Sequence, residues 1–322
     1  MFLIEIIFGS WFKNNFNLRL SSERNIDRVY NFDFKNHKGY SHYKRDDNGF
    51  RVKQNNINPS EVDIIFAGGS TTNQKFLNYD ESIVGILDNK VKNYKIVNSG
   101  VDGMSIIGHI NSFDLWFNKI KTLKPSYYIF YIGINDQFIF DSNKIKAIDE
   151  LKESNFKNQI KEYFESNSFF YKQFRILKST LFLKYNFEKG ANFVNKKTVV
   201  YHERSHNKFN SYQQFTNVEI DKEKYIFYSS FLKELTNKVI NNDSKIIYIT
   251  QTSGHGINQN LYLISHTIMD HCKNFNLTCL NLAQESGLEY NDFYDHMHLN
   301  RAGSLKVSNY IYENLFKNNN LN

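Results

Sequence analysis

Cysteine is scarce in this sequence, and its scarcity excludes a fold held together by many disulfide bonds. The 322 residues include only two cysteines, Cys272 and Cys279, which are seven positions apart across an expected helix end and strand. The residues around them do not resemble a metal site. We therefore interpret them as two free thiols, which suits a reducing compartment, although so low a count does not exclude an exported protein.

Long hydrophobic runs are also missing, and this argues against a helix that spans a bilayer. No segment reaches the roughly 18–20 apolar residues that such a helix needs. Residues 1–8 are mostly apolar, but Glu5 interrupts them, and they lack a basic start and a small-residue cleavage site. We expect a short interfacial or packing segment there rather than a signal peptide. The expected location is therefore the cytoplasm or the periphery of a membrane.

Dense blocks of one charge are absent too, which argues against a nucleic-acid partner. The formal net charge is +7, but the lysines are spread along the whole chain rather than clustered. Scattered lysines keep a surface solvated, whereas a nucleic-acid footprint needs a basic patch or stripe. We expect no nucleic-acid binding.

Aromatic residues are abundant and can supply the volume of a globular core. There are 29 Phe and 21 Tyr residues, and short runs rich in Ile, Val, Phe and Tyr recur along the chain. Five such runs predict strands, at residues 62–67, 95–98, 127–132, 245–250 and 277–282, with helical spacing between them. Alternating strands and helices indicate an α/β fold with a parallel sheet.

The pattern divides the chain into an N-terminal extension and one α/β domain. The extension is residues 1–60, and Asp47-Asn48-Gly49 predicts the turn of a small hairpin within it. The α/β domain is residues 61–318, with a helical insertion at about residues 140–243. Within the insertion, residues 164–187 are aromatic and basic at helical spacing, which suits a helix packed on the sheet or a lid that contacts a membrane.

Residues that could carry chemistry follow the predicted strands. Ser70 follows the first strand, Gly103 the second, Asn135 the third, and Asp295 and His298 lie in the last loop. Sites in parallel α/β sheets gather at the carboxyl ends of the strands, so we expect these residues to meet. By itself Ser70 is more often a helix cap than a nucleophile, and its partners decide between the two.

In these residues the chain resembles the SGNH (GDSL-type) hydrolase superfamily. The four matching motifs are Gly68-Gly69-Ser70, Gly103, Gly133-Ile134-Asn135-Asp136 and Asp295-His296-Met297-His298. Each motif alone is weak, but the four in this order are specific together, and they extend over about residues 61–318. The resemblance implies a three-layer α/β/α sandwich around a flavodoxin-like, five-stranded parallel sheet in the order 2-1-3-4-5.

The chemistry of serine hydrolysis gives each matched residue a role. Ser70 would attack a carbonyl carbon, and His298 would take the Ser70 proton and return it to the leaving alcohol. Asp295 would hold the imidazole in the required tautomer. The backbone N–H groups of Ser70 and Gly103 and the side-chain amide of Asn135 would form the oxyanion hole. This chemistry needs no metal ion and no organic cofactor.

The choice of acid and base has alternatives in the same loop. His296 competes with His298 as the base, but only His298 has an aspartate three residues before it. Asp292 could replace Asp295.

Two glycine positions also leave a question. Gly100 fits the second motif as well as Gly103 does. Gly69 stands where the family usually has an aspartate that braces the loop, so that brace is missing here.

The resemblance implies hydrolysis or transfer of an acyl group through an acyl-Ser70 intermediate. Chains of this kind resemble the bacterial branch associated with surface polysaccharides, so the expected partner is a small-molecule or glycan ester, with O-acetyl as the acyl group. One rival is a lipase or thioesterase for longer acyl chains, which the aromatic insertion would suit. The other is a non-catalytic glycan-binding or assembly module that keeps the fold.

Overall fold

One mixed sheet organises the part of the chain that the computed structural model describes, which is residues 24–34, 36–54, 56–140, 168–170, 173, 199–200, 208–317 and 321. The strands are β1 (Ile26–Phe34), β2 (His37–Arg45), β3 (Arg51–Val52), β4 (Ile64–Gly68), β5 (Ile96–Asn98), β6 (Tyr127–Tyr131), β7 (Val199–Val200), β8 (Lys245–Ile249) and β9 (Thr278–Leu280). Their order across the sheet is β7-β1-β2-β3-β5-β4-β6-β8-β9.

The central strands of the sheet run parallel. Strand β4 pairs in parallel with β5 on one side and with β6 on the other, and β8 and β9 continue the sheet in parallel. The α/β class expected from the sequence is confirmed. The expectation of five strands is wrong for the sheet as a whole, because β1, β2, β3 and β7 extend it beyond β5.

Helices cover both faces of the sheet. They are α1 (Ser70–Asn73), α2 (Ile83–Lys90), α3 (Ile106–Leu115), α4 (Lys222–Ile240), α5 (Gln259–Phe275), α6 (Leu282–Glu285) and α7 (Arg301–Ile311). Side chains of β4 alternate between two apolar cores, with Ile65 in the first and Ile64 in the second. The first core includes residues of α3, α4 and α5, and the second includes residues of α2 and α7.

The described residues of the N-terminal extension belong to the same sheet. Strands β1 and β2 form an antiparallel hairpin, here called the N-terminal hairpin (residues 26–45). Strand β3 pairs with β2 across a turn in which Gly49 has a φ of +86°, and then joins β5, with Arg51 opposite Asn98. The extension therefore pairs directly with β5, the strand that precedes Gly103.

The interpretation of Cys272 and Cys279 as free thiols is wrong, because the structure bonds them to each other. Cys272 lies in the last turn of α5, and Cys279 lies in β9. Between them Asn276 ends the helix with a left-handed backbone (φ of 51°), which turns the chain back and leaves the two Cα atoms 6.2 Å apart.

Most of the predicted insertion lies outside the described residues. This includes residues 164–187 except 168–170 and 173, so the aromatic, basic helix expected there stays a prediction. Within the described ranges, no helix combines the length and the apolar character needed to cross a membrane.

Candidate active site

Ser70 begins helix α1 directly after the central strand β4. Its side chain is half-buried, at the carboxyl end of the strand, where the sequence predicted it. Gly68 allows the tight exit from β4, because a Cβ there would lie 2.6 Å from the Tyr131 carbonyl oxygen and 2.1 Å from Thr72 Oγ1. The helix has only four residues and ends at Gln74, whose backbone is left-handed (φ of 47°).

His298 and Asp295 meet Ser70 in one chain of hydrogen bonds. His298 Nε2 lies 2.8 Å from Ser70 Oγ, and His298 Nδ1 lies 2.7 Å from Asp295 Oδ2. In the tautomer that donates from Nδ1 to the carboxylate, Nε2 is free to accept the serine proton. The Asp295 side chain is 3% exposed and is therefore shielded from solvent, whereas the His298 side chain is 17% exposed and remains accessible to a small molecule.

The Asp295 carboxylate is held by hydrogen bonds within one short loop. Its Oδ1 accepts hydrogen bonds from the backbone N–H groups of Met297 and His298, at 2.9 and 2.7 Å. Burial alone would raise the pKa of Asp295, but the hydrogen bond and charge of His298 and these two N–H groups outweigh it and lower the pKa. Asp295 is therefore an ionised carboxylate that orients the imidazole.

The loop that carries His298 is itself fixed by backbone hydrogen bonds. Tyr294 N–H donates to the His298 carbonyl at 3.0 Å, and Gly254 N–H donates to the His296 carbonyl at 2.8 Å. Gly254 has to be glycine here, since a Cβ would lie 2.2 Å from the Asp295 carbonyl oxygen. The segment after β8 therefore packs closely against the loop that carries His298.

The two alternatives in this loop make other contacts. Asp292 accepts a hydrogen bond from Lys306 Nζ at 2.9 Å and another from the Glu289 N–H at 2.8 Å. His296 lines a neighbouring cleft. Neither replaces Asp295 or His298 in the hydrogen-bond chain to Ser70.

Asn135 lies directly over Gly69, beside the candidate nucleophile. Its Nδ2 donates to the Met104 carbonyl at 2.9 Å, and a Cβ on Gly69 would lie only 2.2 Å from the same Nδ2 atom. The glycine at this position therefore makes room for the amide. An aspartate at residue 69, the residue that the family resemblance led us to expect there, would collide with this amide, and the sequence alone did not reveal that contact.

The contacts of the two candidate oxyanion glycines differ. Gly100 N–H donates to Asn98 Oδ1 at 2.9 Å, and a Cβ there would lie 2.4 Å from the Asn73 backbone nitrogen. Gly103 is exposed, has a φ of +75°, and would meet no atom within 4 Å of an added Cβ. Because the Gly100 N–H is already bonded, Gly103 stays the predicted oxyanion donor.

Gln251, which the sequence analysis missed, ties the two halves of the site together. Its Nε2 donates to Thr71 Oγ1 at 2.8 Å and to the Tyr131 carbonyl at 3.1 Å. Its Oε1 accepts from Ile134 N–H at 2.8 Å. Gln251 is buried, so it links the residue after Ser70 to the residue before Asn135. No local pattern marks it, because its partners are more than a hundred residues away.

Asp136, the residue after Asn135, makes structural hydrogen bonds to two helices. Its Oδ1 accepts the N–H of Ile106, the first residue of α3, at 2.6 Å, and its Oδ2 accepts from Tyr228 Oη at 2.8 Å. Burial raises the pKa of Asp136 to about 6, although both hydrogen bonds act to lower it. The carboxylate thus joins the start of α3 to helix α4.

Two buried arginines of β2 and β3 brace the end of α1. Arg51 donates to the carbonyls of Asn73, Gln74 and Leu77. Arg45 Nη1 donates to the Asn73 side chain at 3.2 Å and to the Gly100 carbonyl at 2.7 Å. Burial lowers the pKa of Arg51 to about 10, so it stays charged at neutral pH. Strands β2 and β3 therefore anchor the segment that follows Ser70.

A cleft of about 350 Å³ lies next to the site. Ile134 and Met297, the sequence neighbours of Asn135 and His298, form part of its wall. The remaining lining residues are Gln137, Phe138, Asn210, Ser253, His255, Gly256, Ile257, Asn258 and His296. The lining drawn from the described residues contains no Asp, Glu, Lys or Arg, so it suits a neutral ligand with hydroxyl groups.

Metal ligands do not gather anywhere in the part of the chain that the structure describes. Among those residues, no group of three or more His, Cys, Asp or Glu side chains could hold a metal ion. The chemistry that the geometry offers is nucleophilic attack by a serine with a histidine base.

Comparison with known proteins gives similarity at the level of structure only. No protein-family model matches the chain, and no curated protein sequence matches it. Among solved structures it is similar to a member of the lipolytic G-D-S-L family from Veillonella parvula DSM 2008, with 13% identity over 80% of this chain and 99% of that one and a TM-score of 0.45.

Two further solved structures are similar to a comparable degree. One is Axe2, an acetylxylan esterase from Geobacillus stearothermophilus, with 13% identity over 78% of this chain and 93% of that one and a TM-score of 0.43. The other is LAE5, an α/β hydrolase from the metagenome of Lake Arreo, with 12% identity over 80% and 97% and a TM-score of 0.43. These similar structures thus include the GDSL type that the four motifs indicated. Because the TM-scores are below 0.5, the function proposed for this chain rests on its own geometry.

Proposed function

We propose that this chain is a serine esterase that works through an acyl-Ser70 intermediate. The observation that carries the proposal is the hydrogen-bond chain from Ser70 Oγ through His298 to Asp295, at 2.8 and 2.7 Å. The Ser70–His298 distance lies in the range that proton transfer from nucleophile to base requires, and the His298–Asp295 distance is that of the hydrogen bond that orients the base. Ser70 also sits at the carboxyl end of the central strand, where ligands of such sheets bind.

The reaction has two half-reactions with the same groups. In the first, Ser70 Oγ bonds to the ester carbonyl carbon while its proton moves to His298 Nε2. The carbon–oxygen bond to the alcohol then breaks, and the same proton passes to the leaving oxygen. In the second, water attacks the acyl-enzyme, His298 takes its proton, and Ser70 leaves with that proton while the carboxylic acid is released. A sugar hydroxyl in place of water would make the same chain a transferase.

The developing oxyanion is stabilised by the groups around Gly69. The proposed donors are the N–H groups of Ser70 and Gly103 and the amide of Asn135, whose Nδ2 carries a second hydrogen besides the one bonded to the Met104 carbonyl. Loss of one such donor typically costs about 3 kcal/mol of transition-state stabilisation.

The lining of the neighbouring cleft favours a neutral carbohydrate ester over a lipid. Amide and imidazole side chains such as Gln137, Asn258 and His296 can bond sugar hydroxyls, while Phe138, 46% exposed, offers a ring face for stacking. A long acyl chain would instead need a continuous apolar wall. We therefore propose O-acetyl groups on a carbohydrate as the substrate.

Hydrolysis of p-nitrophenyl esters of different chain length tests the proposal against two other candidate functions. A lipase or thioesterase would prefer p-nitrophenyl octanoate to p-nitrophenyl acetate, and a non-catalytic glycan-binding module would cleave neither. The proposal predicts a preference for acetate and for acetylated neutral sugars, together with an acetyl group trapped on the peptide that contains Ser70. Equal or better cleavage of the long-chain ester would refute the assignment to acetyl groups.

A further inference from the structure

We infer that Tyr294 is a positioning residue for His298, and that the N-terminal hairpin acts on the base through Tyr294. The inference rests on the proposed function, since it assigns His298 the role of base. It gives the N-terminal hairpin, which lies outside residues 61–318 where the four motifs are found, a part in orienting the base.

A set of nearly parallel rings links the hairpin to the base. The Tyr294 ring stacks on the His298 imidazole, with ring centroids 5.6 Å apart and planes 10° apart. The same Tyr294 ring stacks on Phe34 at 4.5 Å and 9° and on His37 at 5.2 Å and 18°. Phe76 closes the group edge-on to Tyr294, at 6.2 Å and 82°. Tyr294 is therefore the ring that contacts both His298 and the hairpin.

The stack supplies a restraint that the hydrogen bonds do not. Asp295 holds Nδ1 and Ser70 contacts Nε2, but hydrogen bonds keep most of their strength over a range of angles. The two bonds therefore tolerate tilts of the imidazole plane that arise from small changes in the side-chain torsions of His298. The nearly parallel Tyr294 ring narrows this range and favours the cationic form that arises during proton transfer. Small errors in such an orientation cost rate rather than binding.

The hairpin end of the stack is firmly attached. His37 is buried and its Nε2 lies 2.7 Å from the Phe76 carbonyl oxygen. Asn36, in the turn of the hairpin, donates from Nδ2 to the carbonyls of Asn291 and Phe293, at 3.2 and 2.8 Å. The hairpin thus contacts the loop that carries Tyr294 and His298 in two ways, through hydrogen bonds to the loop backbone and through ring stacking on Tyr294.

Kinetics of ring-removing and ring-keeping variants test the inference. We expect Tyr294→Leu to lower kcat on p-nitrophenyl acetate about tenfold with KM within twofold, because the imidazole loses its orientation while the cleft is unchanged. Tyr294→Phe keeps the ring and should retain kcat within twofold. A folded Tyr294→Leu enzyme with the kcat of the wild type would overturn the inference.

A double-mutant cycle tests the route through Tyr294. Phe34→Leu removes a hairpin ring that stacks on Tyr294 but does not change Tyr294 itself, and it should lower kcat severalfold. Tyr40→Leu is the control, because Tyr40 lies on the same hairpin and is 69% exposed, and it should not lower kcat. In the Tyr294→Leu background, Phe34→Leu should have no further effect on kcat. The same severalfold loss in both backgrounds would contradict the coupling. If Tyr294→Leu does not fold, an unchanged kcat in Phe34→Leu would likewise contradict the coupling.

A spectroscopic readout separates this inference from the proposed function. The low-field proton resonance of His298 Nδ1–H reports the bond to Asp295 and needs no turnover. We expect it to broaden or shift in Tyr294→Leu and Phe34→Leu but not in Tyr294→Phe or Tyr40→Leu. An unchanged resonance in all four variants would reject the positioning role. Absence of esterase activity in the wild type, by contrast, would reject the proposed function and leave the resonance test intact.

Discussion

At the scale of single residues, the most informative position is Gly69. Its φ is −83°, an ordinary value for any residue, so the glycine is not needed for its backbone conformation. It is needed for space, because Asn135 Nδ2 occupies the place of a side chain there. A side chain at residue 69 would therefore displace the Asn135 amide.

Gly69→Ala should therefore impair catalysis more than folding. The new methyl group displaces the Asn135 amide from the Met104 carbonyl and from the proposed oxyanion position, so we expect kcat to fall by about 10- to 100-fold. The free energy of unfolding should change by less than about 1 kcal/mol, since a side-chain end can move aside. Steady-state kinetics and urea unfolding measure the two effects.

The control is the same change in the Asn135→Ala background. There the methyl group meets no amide, so Gly69→Ala should have little additional effect on kcat. Full activity of the single Gly69→Ala variant would show that Asn135 is not an oxyanion donor.

At the scale of elements, Asp136 couples the start of α3 to α4. It is fully buried, and one carboxylate serves Ile106 N–H and the Tyr228 hydroxyl together. Burial raises the pKa of Asp136 to about 6, so the native state binds this proton more tightly than the unfolded chain does. The associated stability is present in full below the unfolded pKa near 4 and is lost as the pH rises through about 6.

Asp136→Asn should remove this pH dependence. Relative to wild type, the variant should gain stability between pH 4 and pH 7, on the order of 2–3 kcal/mol from a shift of about two pKa units. Buried His109 and His271, whose pKa values are lowered to about 3 and about 4, act in the opposite direction in both proteins and cancel in the difference. Urea unfolding at several pH values gives the difference directly. A difference that does not vary with pH would contradict the raised pKa.

At the scale of the whole molecule, the sequence could predict what local pattern encodes. Ser70, Asn135 and His298 each follow a strand or lie in the last loop, so their approach follows from the sheet. The role of Gln251 could not be predicted, because Gln251 is 180 residues from its partner Thr71. The contacts of Tyr294 with Phe34 and His37 of the N-terminal hairpin are likewise remote in sequence. The sheet strand β1 was missed for a similar reason, since only its pairing and its ring contacts distinguish it from a polar extension.

The pairing of the two cysteines was also beyond local pattern, and it yields a prediction for the whole chain. The bond joins α5 to β9 and closes a short loop, for which the chain-entropy model gives about 2 kcal/mol of stability. Cys272→Ser/Cys279→Ser should unfold at a correspondingly lower urea concentration. Thiol titration of the unreduced, denatured wild type should find no free thiol, and two titratable thiols would show that the bond does not form.

The central claim is that Ser70 is a nucleophile activated by His298. Labelling with a fluorophosphonate probe, followed by mass spectrometry of the modified peptide, tests it most directly. We predict a covalent adduct on Ser70 in the wild type, no adduct in Ser70→Ala, and labelling slowed by at least about 100-fold in His298→Ala. Labelling should be unchanged in Ser60→Ala, because Ser60 is an exposed serine that precedes the amino end of β4, whereas Ser70 follows the carboxyl end of that strand. Thermal unfolding of each variant confirms that it is folded. An adduct on another residue, or equal labelling of wild type and folded His298→Ala, would contradict the account.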